Sequence, residues 1–114
     1  MAPERMRRVD EAIREVLSEA LAAGLKDPRI GFVTVTSVDT SPDLRQARVY
    51  VSVLGDARAR EDTLDGLASA AGFLQRVVAG LRLRHTPALS FHYDESIDHG
   101  MRIGALLREE DGGA

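Results

Sequence analysis

The sequence predicts an α+β domain of two layers, in which helices cover one face of a three-stranded sheet. Three segments alternate apolar and polar residues as strands do, and the other long segments repeat apolar residues every three or four positions as helices do. A sheet that is apolar on one face must bury that face against a second layer. The chain has 114 residues, 44% of them hydrophobic, which suffices for one such core but not for two.

The first predicted element is a helix over residues 5–23. Its apolar residues follow helical spacing and are Met6, Val9, Ile13, Val16, Leu17, Ala20 and Leu21. Gly24 is well placed to end the helix as a C-terminal cap. Arg5, Arg7 and Arg8 lie at its start, where the helix dipole disfavours positive charge, so they either have another partner or are solvated surface charge.

A turn and a hairpin are predicted to follow. Residues 26–31 form the turn, because Pro28 fixes its own backbone angle and moves Asp27 out of the helical region. The next segments have the composition of a strand, a turn and a strand, at 32–38, 39–43 and 44–54. The two strands should pair as an antiparallel hairpin with one solvated face. On that face, a tyrosine at position 50 is expected to pack against neighbours rather than to stack on a base.

The central stretch, 64–85, has helical periodicity after a polar connection in which Asp56 is a candidate N-cap. Its apolar stripe consists of Leu64, Leu67, Ala71, Leu74, Val78 and Leu81. Gly72 lies near the middle of the stripe, and an interior glycine costs ~1 kcal/mol relative to alanine, so it should serve a kink, a close contact or a cap. Periodicity alone favours one long helix, which Pro87 ends.

A third strand and a last helix complete the predicted domain. Leu89 to Tyr93 alternate as a strand, residues 96–109 have helical character, and residues 111–114 should be a disordered tail. Residues 1–110 are therefore expected to form a single domain. The larger aromatic residues are expected in its core, and these are Phe32, Phe73, Phe91 and Tyr93.

The charge distribution suggests a binding surface. The net charge is −3, yet no carboxylate occurs between Gly66 and Tyr93. That window holds five basic or titratable side chains, which are Arg76, Arg82, Arg84, His85 and His92. In a helical projection Gln75, Arg76 and Arg82 lie opposite the apolar stripe, which favours a helix that faces phosphate groups, with solvated surface charge as the alternative. Arg84 projects closer to the stripe and could instead cap the helix.

Several classes of site are not expected. The chain has no cysteine, which excludes disulfides, thiol nucleophiles and thiolate zinc sites. His85, His92 and His99 fall on different predicted elements, so no metal site is expected. Nucleophile motifs and phosphate-binding loops are also missing, and we expect no catalytic residue and no cofactor. No run approaches the ~20 apolar residues of a membrane span, so no membrane association and a cytoplasmic location are expected.

Several short motifs, taken in order, resemble the bacterial ribosome-binding factor A family. They are Lys26-Asp-Pro-Arg-Ile-Gly31, Val38-Asp-Thr-Ser-Pro-Asp-Leu44, Ala47-Arg-Val-Tyr-Val-Ser52, Ala70-Ala-Gly-Phe73, Leu81-Arg-Leu-Arg84, Pro87-Ala-Leu89, Phe91-His-Tyr-Asp94 and Gly100-Met-Arg102. The resemblance extends from about residue 5 to about residue 107, with the segments in the family's order. Several independent matches in one order are far more specific than any one of them.

The resemblance implies a KH-like fold of the second type: a helix, two strands, a kinked helix pair and a strand. An Ala-x-Gly kink, here Ala70-Ala71-Gly72, replaces the usual Gly-x-x-Gly loop and implies two helices that meet near Gly72. Such a bend frees N–H groups at the start of the second helix, where anions are favoured. The resemblance further implies a factor that binds the free small (30S) ribosomal subunit and assists 16S rRNA maturation, including processing of its 5′ end, notably in the cold, without being an enzyme.

The expected RNA-binding residues combine the kink, the cationic window and the start of the first helix. They are Ala70, Ala71, Gly72, Gln75, Arg76, Arg82, Arg84 and His85, with Arg5, Arg7 and Arg8. The expected partner is 16S rRNA in the free small subunit, bound by a monomer, with other maturation factors such as a GTPase as further partners. The alternative is a protein-interaction module that uses the sheet edge or the first helix to recruit another maturation factor.

Overall fold

The computed structural model describes residues 4–96, which form three helices and three strands. The elements are α1 Glu4–Ala22, β1 Val33–Thr40, β2 Gln46–Val53, α2 Ala57–Ser69, α3 Ala71–Ala79 and β3 Ala88–Tyr93. The predicted α+β class and the predicted order of elements as far as β3 are confirmed. The helix predicted at 96–109, apart from its first residue, and the tail predicted at 111–114 lie outside the described residues.

The sheet has the strand order β1-β2-β3. β1 and β2 are antiparallel, with Val38 opposite Val49, and β3 runs parallel to β2, with Phe91 opposite Val49. Along β2, Ala47, Val49 and Val51 are buried and the residues between them are at least partly exposed. The predicted hairpin with one solvated face is therefore confirmed. Parallel strands need a long crossover connection, and α2 with α3 supply it.

The helices bury aliphatic side chains against the apolar face of the sheet. The core residues that they contribute, all 0% exposed, are Ile13 and Leu17 of α1, Leu67 of α2, and Leu74 and Val78 of α3. Burying one such side chain contributes roughly 1.5–3 kcal/mol. The stripe predicted for the central stretch is thus the buried side of α2 and α3.

The expectation that the aromatic residues fill the core is wrong for two of them. Phe32 precedes β1 and is 81% exposed, and Phe73 lies off the buried stripe of α3 and is 47% exposed. Phe91 and Tyr93 are half-buried, and the Tyr93 ring lies 3.6 Å below the Arg60 guanidinium. Tyr50 is half-buried with its ring centroid 5.7 Å from that of His92, which agrees with its expected packing role.

Two predicted helix caps are present. Gly24 has φ +90° and donates its N–H to the Leu21 carbonyl at 3.1 Å, which ends α1. Asp56 Oδ1 accepts the Ala59 N–H at 2.9 Å and begins α2. Among residues 4–96, no helix combines the length and the apolar character that crossing a membrane requires.

Candidate nucleic-acid interface

α2 and α3 meet at Ala70, which is the C-cap of one helix and the N-cap of the other. Its backbone angles, φ −87° and ψ 2°, interrupt the helical progression. The Ala70 N–H donates to the Gly66 carbonyl and the Ala70 carbonyl accepts the Leu74 N–H, both at 3.0 Å. The kink that the resemblance implied is therefore present, one long helix is ruled out, and the break lies two residues before Gly72.

The start of α3 presents an open backbone. Ala70 makes no side-chain cap hydrogen bond, so no cap side chain satisfies the N–H groups of the first helical turn, which lack intrahelical partners. Gly72 is exposed, and a Cβ built there would meet nothing within 4 Å in the described part of the chain. No neighbour in residues 4–96 therefore requires glycine here, and a ligand can approach the backbone closely.

An apolar groove of about 490 Å³ lies beside this junction. It runs between the segment that follows α1 and the junction itself, and its lining residues are Gly24, Leu25, Lys26, Asp27, Ser69, Ala70 and Phe73. Phe73 was expected in the core, but it is partly exposed and lines this groove. An aromatic wall next to an uncapped helix start suits a ligand that carries both flat rings and anionic groups.

The turn at 26–31 is fastened to the end of α2 by Arg29. The Arg29 Nη2 atom donates to Asp27 Oδ2 at 2.6 Å and to Ser69 Oγ at 2.9 Å. Hydrogen bonds from the Arg29 side chain and backbone N–H lower the pKa of Asp27 to about 2. The motif at residues 26–31, one of those that carry the resemblance, thus has a structural role, because Arg29 joins the two sides of the groove.

Gly66 lets the same turn pack closely on α2. A Cβ at this position would lie 2.6 Å from Ile30 Cγ1, which is well inside van der Waals contact. One helical turn earlier, Thr63 Oγ1 accepts the Gly31 N–H at 3.3 Å. Neither Gly66 nor Thr63 was predicted to have a role; a glycine next to the apolar stripe of a predicted helix was the pattern that could have indicated a close contact.

The cationic residues after Gly72 do not share one helix face. α3 ends at Ala79 rather than at residue 85, because Gly80, Leu81 and Arg82 donate to carbonyls three residues earlier, at 3.0 to 3.2 Å. Arg82 then adopts φ 55°, in the left-handed region. Arg76 is exposed in the last turn of α3 and Gln75 beside it is half-buried. The predicted common face of Arg76 and Arg82, and a helix cap at Arg84, are therefore wrong.

The three arginines at the start of α1 separate into two groups. Arg7 Nη2 lies 2.7 Å from Glu4 Oε1, and Arg8 Nε lies 3.7 Å from the same atom. These side chains are 75% and 79% exposed, so the pairs add little stability. Arg5 instead lines a cleft of about 250 Å³ with Arg84 and His85, which brings together residues that are far apart in the chain.

The arginines between Gly66 and Tyr93, the span that contains no carboxylate, have no carboxylate partner in the described structure. Between residues 4 and 96, no ion pair engages Arg76, Arg82 or Arg84. Other arginines do have such partners, as Arg14 has in Glu11 and Arg29 in Asp27. Within the described residues, the guanidinium groups of Arg76, Arg82 and Arg84 are therefore not engaged in ion pairs and are available to phosphate.

The described histidines form no metal centre. His92 Nε2 lies 2.9 Å from Ser90 Oγ on β3, and His85 lines the cleft with Arg5. Over residues 4–96, no three His, Asp or Glu side chains are grouped as metal ligands. His99 lies outside this range.

Comparison with known proteins agrees with this architecture. The sequence profile of the ribosome-binding factor A family matches residues 5–107. A ribosome-binding factor A from Anaeromyxobacter sp. (strain K) is 62% identical over 107 residues, which cover 92% of this chain and 78% of that protein.

Two sets of coordinates resemble the fold. The solution structure of a Thermotoga maritima protein described as a ribosome binding factor A aligns with a TM-score of 0.70 and 40% identity, over 81% of this chain and 90% of that one. A homology model of the Thermus thermophilus ribosome binding factor A, fitted into the electron cryomicroscopy map of a 30S complex, aligns with a TM-score of 0.62 and 30% identity, over 75% and 91%. The KH-like fold of these proteins is also the fold of this chain, which belongs to the ribosome-binding factor A family.

Proposed function

We propose that this protein binds the free small ribosomal subunit through 16S rRNA and assists the maturation of that RNA. The observation that carries the proposal is the α2–α3 junction, where the uncapped start of α3, the open position at Gly72 and the unpaired Arg76 lie within one short segment. A relative occupies the 30S subunit in a fitted complex, which supports the choice of partner.

The proposed contacts use the RNA backbone more than the bases. A phosphate approaches the N–H groups at Ala71 and Gly72, where the helix dipole is positive. Arg76 and Arg82 neutralise neighbouring phosphates, and Gln75 adds a donor at the edge of the surface. Affinity should therefore fall steeply as the salt concentration rises, because each neutralised phosphate releases counterions.

Binding energy, not a chemical step, performs the proposed function. A ligand shifts an equilibrium between two forms of the subunit only by its differential affinity for them. The protein would favour one conformation of the immature 16S rRNA and so help other factors to process its 5′ end. Cold slows the exchange between RNA conformations, which makes such selection more important at low temperature. We place this function in the cytoplasm and assign it to a monomer.

Sedimentation with purified particles tests the proposal. The protein should co-sediment with free 30S subunits and much less with joined 70S ribosomes; equal association with both particles contradicts it. Charge reversal at Arg76 and Arg82, each to Glu, should abolish association. The matched control reverses Arg48 and Arg58, two exposed arginines on β2 and α2 outside the proposed contacts, and should retain it. The purified protein alone should leave precursor 16S rRNA uncut.

A second candidate function is recruitment of another maturation factor, such as a GTPase. It is favoured by two exposed apolar residues, Phe32 at 81% and Leu54 at 76% exposure, whose backbones are joined by a 3.0 Å hydrogen bond from the Leu54 N–H to the Phe32 carbonyl. Contiguous exposed apolar surface is typical of protein-binding patches. Replacing both by Ser should remove such a partner but leave 30S association intact, whereas reversal of Arg76 and Arg82 should do the opposite.

A further inference from the structure

We infer that the cleft at the start of α1 is a second phosphate-binding site, which holds a backbone phosphate of the same RNA at a distance from the α2–α3 junction. The inference rests on the proposed function for the identity of the RNA. Its basis is that three arginines from three separate segments line the same cleft. Arg5 comes from α1, Arg45 from the turn between β1 and β2, and Arg84 from the loop before β3.

The charge of the cleft favours an anion. All three arginines are exposed, and within residues 4–96 none of them is paired with a carboxylate. Asp43 is the acidic residue in the lining. Its Oδ1 accepts hydrogen bonds from Ser41 Oγ at 2.7 Å and from the Arg45 N–H at 3.0 Å, which fix the turn. Its carboxylate offsets one of the three arginine charges, so the lining remains positive. His85 adds a further donor or acceptor to the lining.

Backbone contacts fix the turn that carries Arg45 before any ligand binds. The Arg45 carbonyl accepts the Ala88 N–H at 2.9 Å, which ties the hairpin turn to the start of β3. Leu44 adopts φ 61°, in the left-handed region, and is buried, with the residue 6% exposed. Its burial offsets the backbone strain that a non-glycine residue has there. A turn anchored on both sides needs little ordering on binding.

The cleft and the junction lie at opposite ends of α1. The 19 residues of α1 span roughly 28 Å at about 1.5 Å per residue. Arg5 lies at the start of this helix, and the groove beside the junction begins at Gly24, just after its end. A single phosphate cannot reach both sites. Two attachment points on one folded RNA make the second contact intramolecular and raise the overall affinity.

The size of the cleft suits a phosphate group. Its volume is about 250 Å³, which is enough for a phosphate group. Arginine recognises such an oxyanion by paired N–H donors, which lysine cannot reproduce.

Salt-dependent binding to 30S subunits tests the inference. The variant Arg45→Ala/Arg84→Ala should bind about tenfold more weakly, and its slope of log affinity against log salt should be smaller in magnitude by ~0.7–0.9 for each phosphate that it no longer neutralises. Arg45→Lys/Arg84→Lys should recover the slope but only part of the affinity. The control Arg48→Ala/Arg58→Ala should match the wild type. If the wild type binds and the Arg45→Ala/Arg84→Ala variant keeps its affinity and slope, the inference is wrong.

A titration with inorganic phosphate separates this inference from the proposed function. If the wild type fails to bind 30S subunits, the proposed function fails, and NMR of the arginine side chains then decides whether the cleft binds phosphate. Saturable shifts at Arg45 and Arg84, but not at Arg58, support a phosphate site; the absence of shifts overturns it. Shifts with phosphate together with unchanged 30S binding in the Arg45→Ala/Arg84→Ala variant would show that the cleft takes free phosphate and not RNA, which contradicts the inference. Amide spectra of each variant verify that it is folded.

Discussion

The substitution Gly72→Ala should strengthen the fold and weaken RNA binding. Gly72 is the second residue of α3, and a Cβ there has no neighbour within 4 Å in the described structure. Alanine is favoured over glycine in a helix interior by ~1 kcal/mol, and the gain is smaller in a first turn. We therefore expect the free energy of unfolding to rise by about 0.5–1 kcal/mol, and Tm by about 2–8 °C for a domain of this size.

The same methyl group should obstruct the ligand. It would occupy the space through which a phosphate approaches the N–H groups at the start of α3. An affinity loss of about tenfold corresponds to 1.4 kcal/mol, which is the scale of one weakened charge-assisted hydrogen bond. Urea denaturation followed by circular dichroism measures the stability, and sedimentation with 30S subunits measures the affinity.

The test is whether Gly72→Ala raises the free energy of unfolding while it lowers the affinity for 30S subunits. A general defect in folding lowers both quantities together. If Gly72→Ala destabilises the protein, a neighbour in the chain occupies that space and the account of the open backbone is wrong. If it leaves 30S affinity unchanged, the RNA does not approach α3 at this point.

Three further predictions follow from single contacts. Gly66→Ala should lower the free energy of unfolding by about 1–3 kcal/mol, because its Cβ would lie 2.6 Å from Ile30 Cγ1; an unchanged urea midpoint would contradict that packing. Arg82→Gly should raise stability by about 1 kcal/mol by relieving left-handed strain, yet weaken 30S binding, whereas Arg82→Ala should only weaken binding. Because Arg29 lowers the pKa of Asp27 to about 2 from its ordinary value of 3.8, the stability from this pair is present above the unfolded pKa and is lost as pH falls through the folded one. Urea midpoints measured from pH 5 to pH 2 should show this loss in the wild type and a smaller one in Arg29→Gln.

Periodicity predicted the buried side of the central helices well, because burial on a helix follows from residue spacing alone. It did not locate the break or the end of α3. The stripe continues through Leu81, which is half-buried although it lies beyond the helix, so spacing hides the change of backbone. Only the resemblance implied the kink, because neither composition nor residue spacing reveals the backbone angles at Ala70.

The aromatic residues show the opposite case, in which composition misled. Phe32 and Phe73 are apolar, but whether such a side chain is buried depends on what packs over it. Aliphatic residues such as Leu74 and Val78 already fill the space between the helices and the sheet. Phe73 is therefore left to line the groove beside the junction.

The sequence by itself determined which segments form helices and strands, which of their sides are buried, and where acidic residues are excluded. These properties depend on the spacing and charge of residues close together in the chain. The tertiary structure alone decided that Arg5, Arg45 and Arg84 share one cleft, and that Gly66 contacts Ile30 while Gly72 remains open. Such contacts join residues far apart in the chain, and the crossover and the sheet register bring them together, so no local pattern records them.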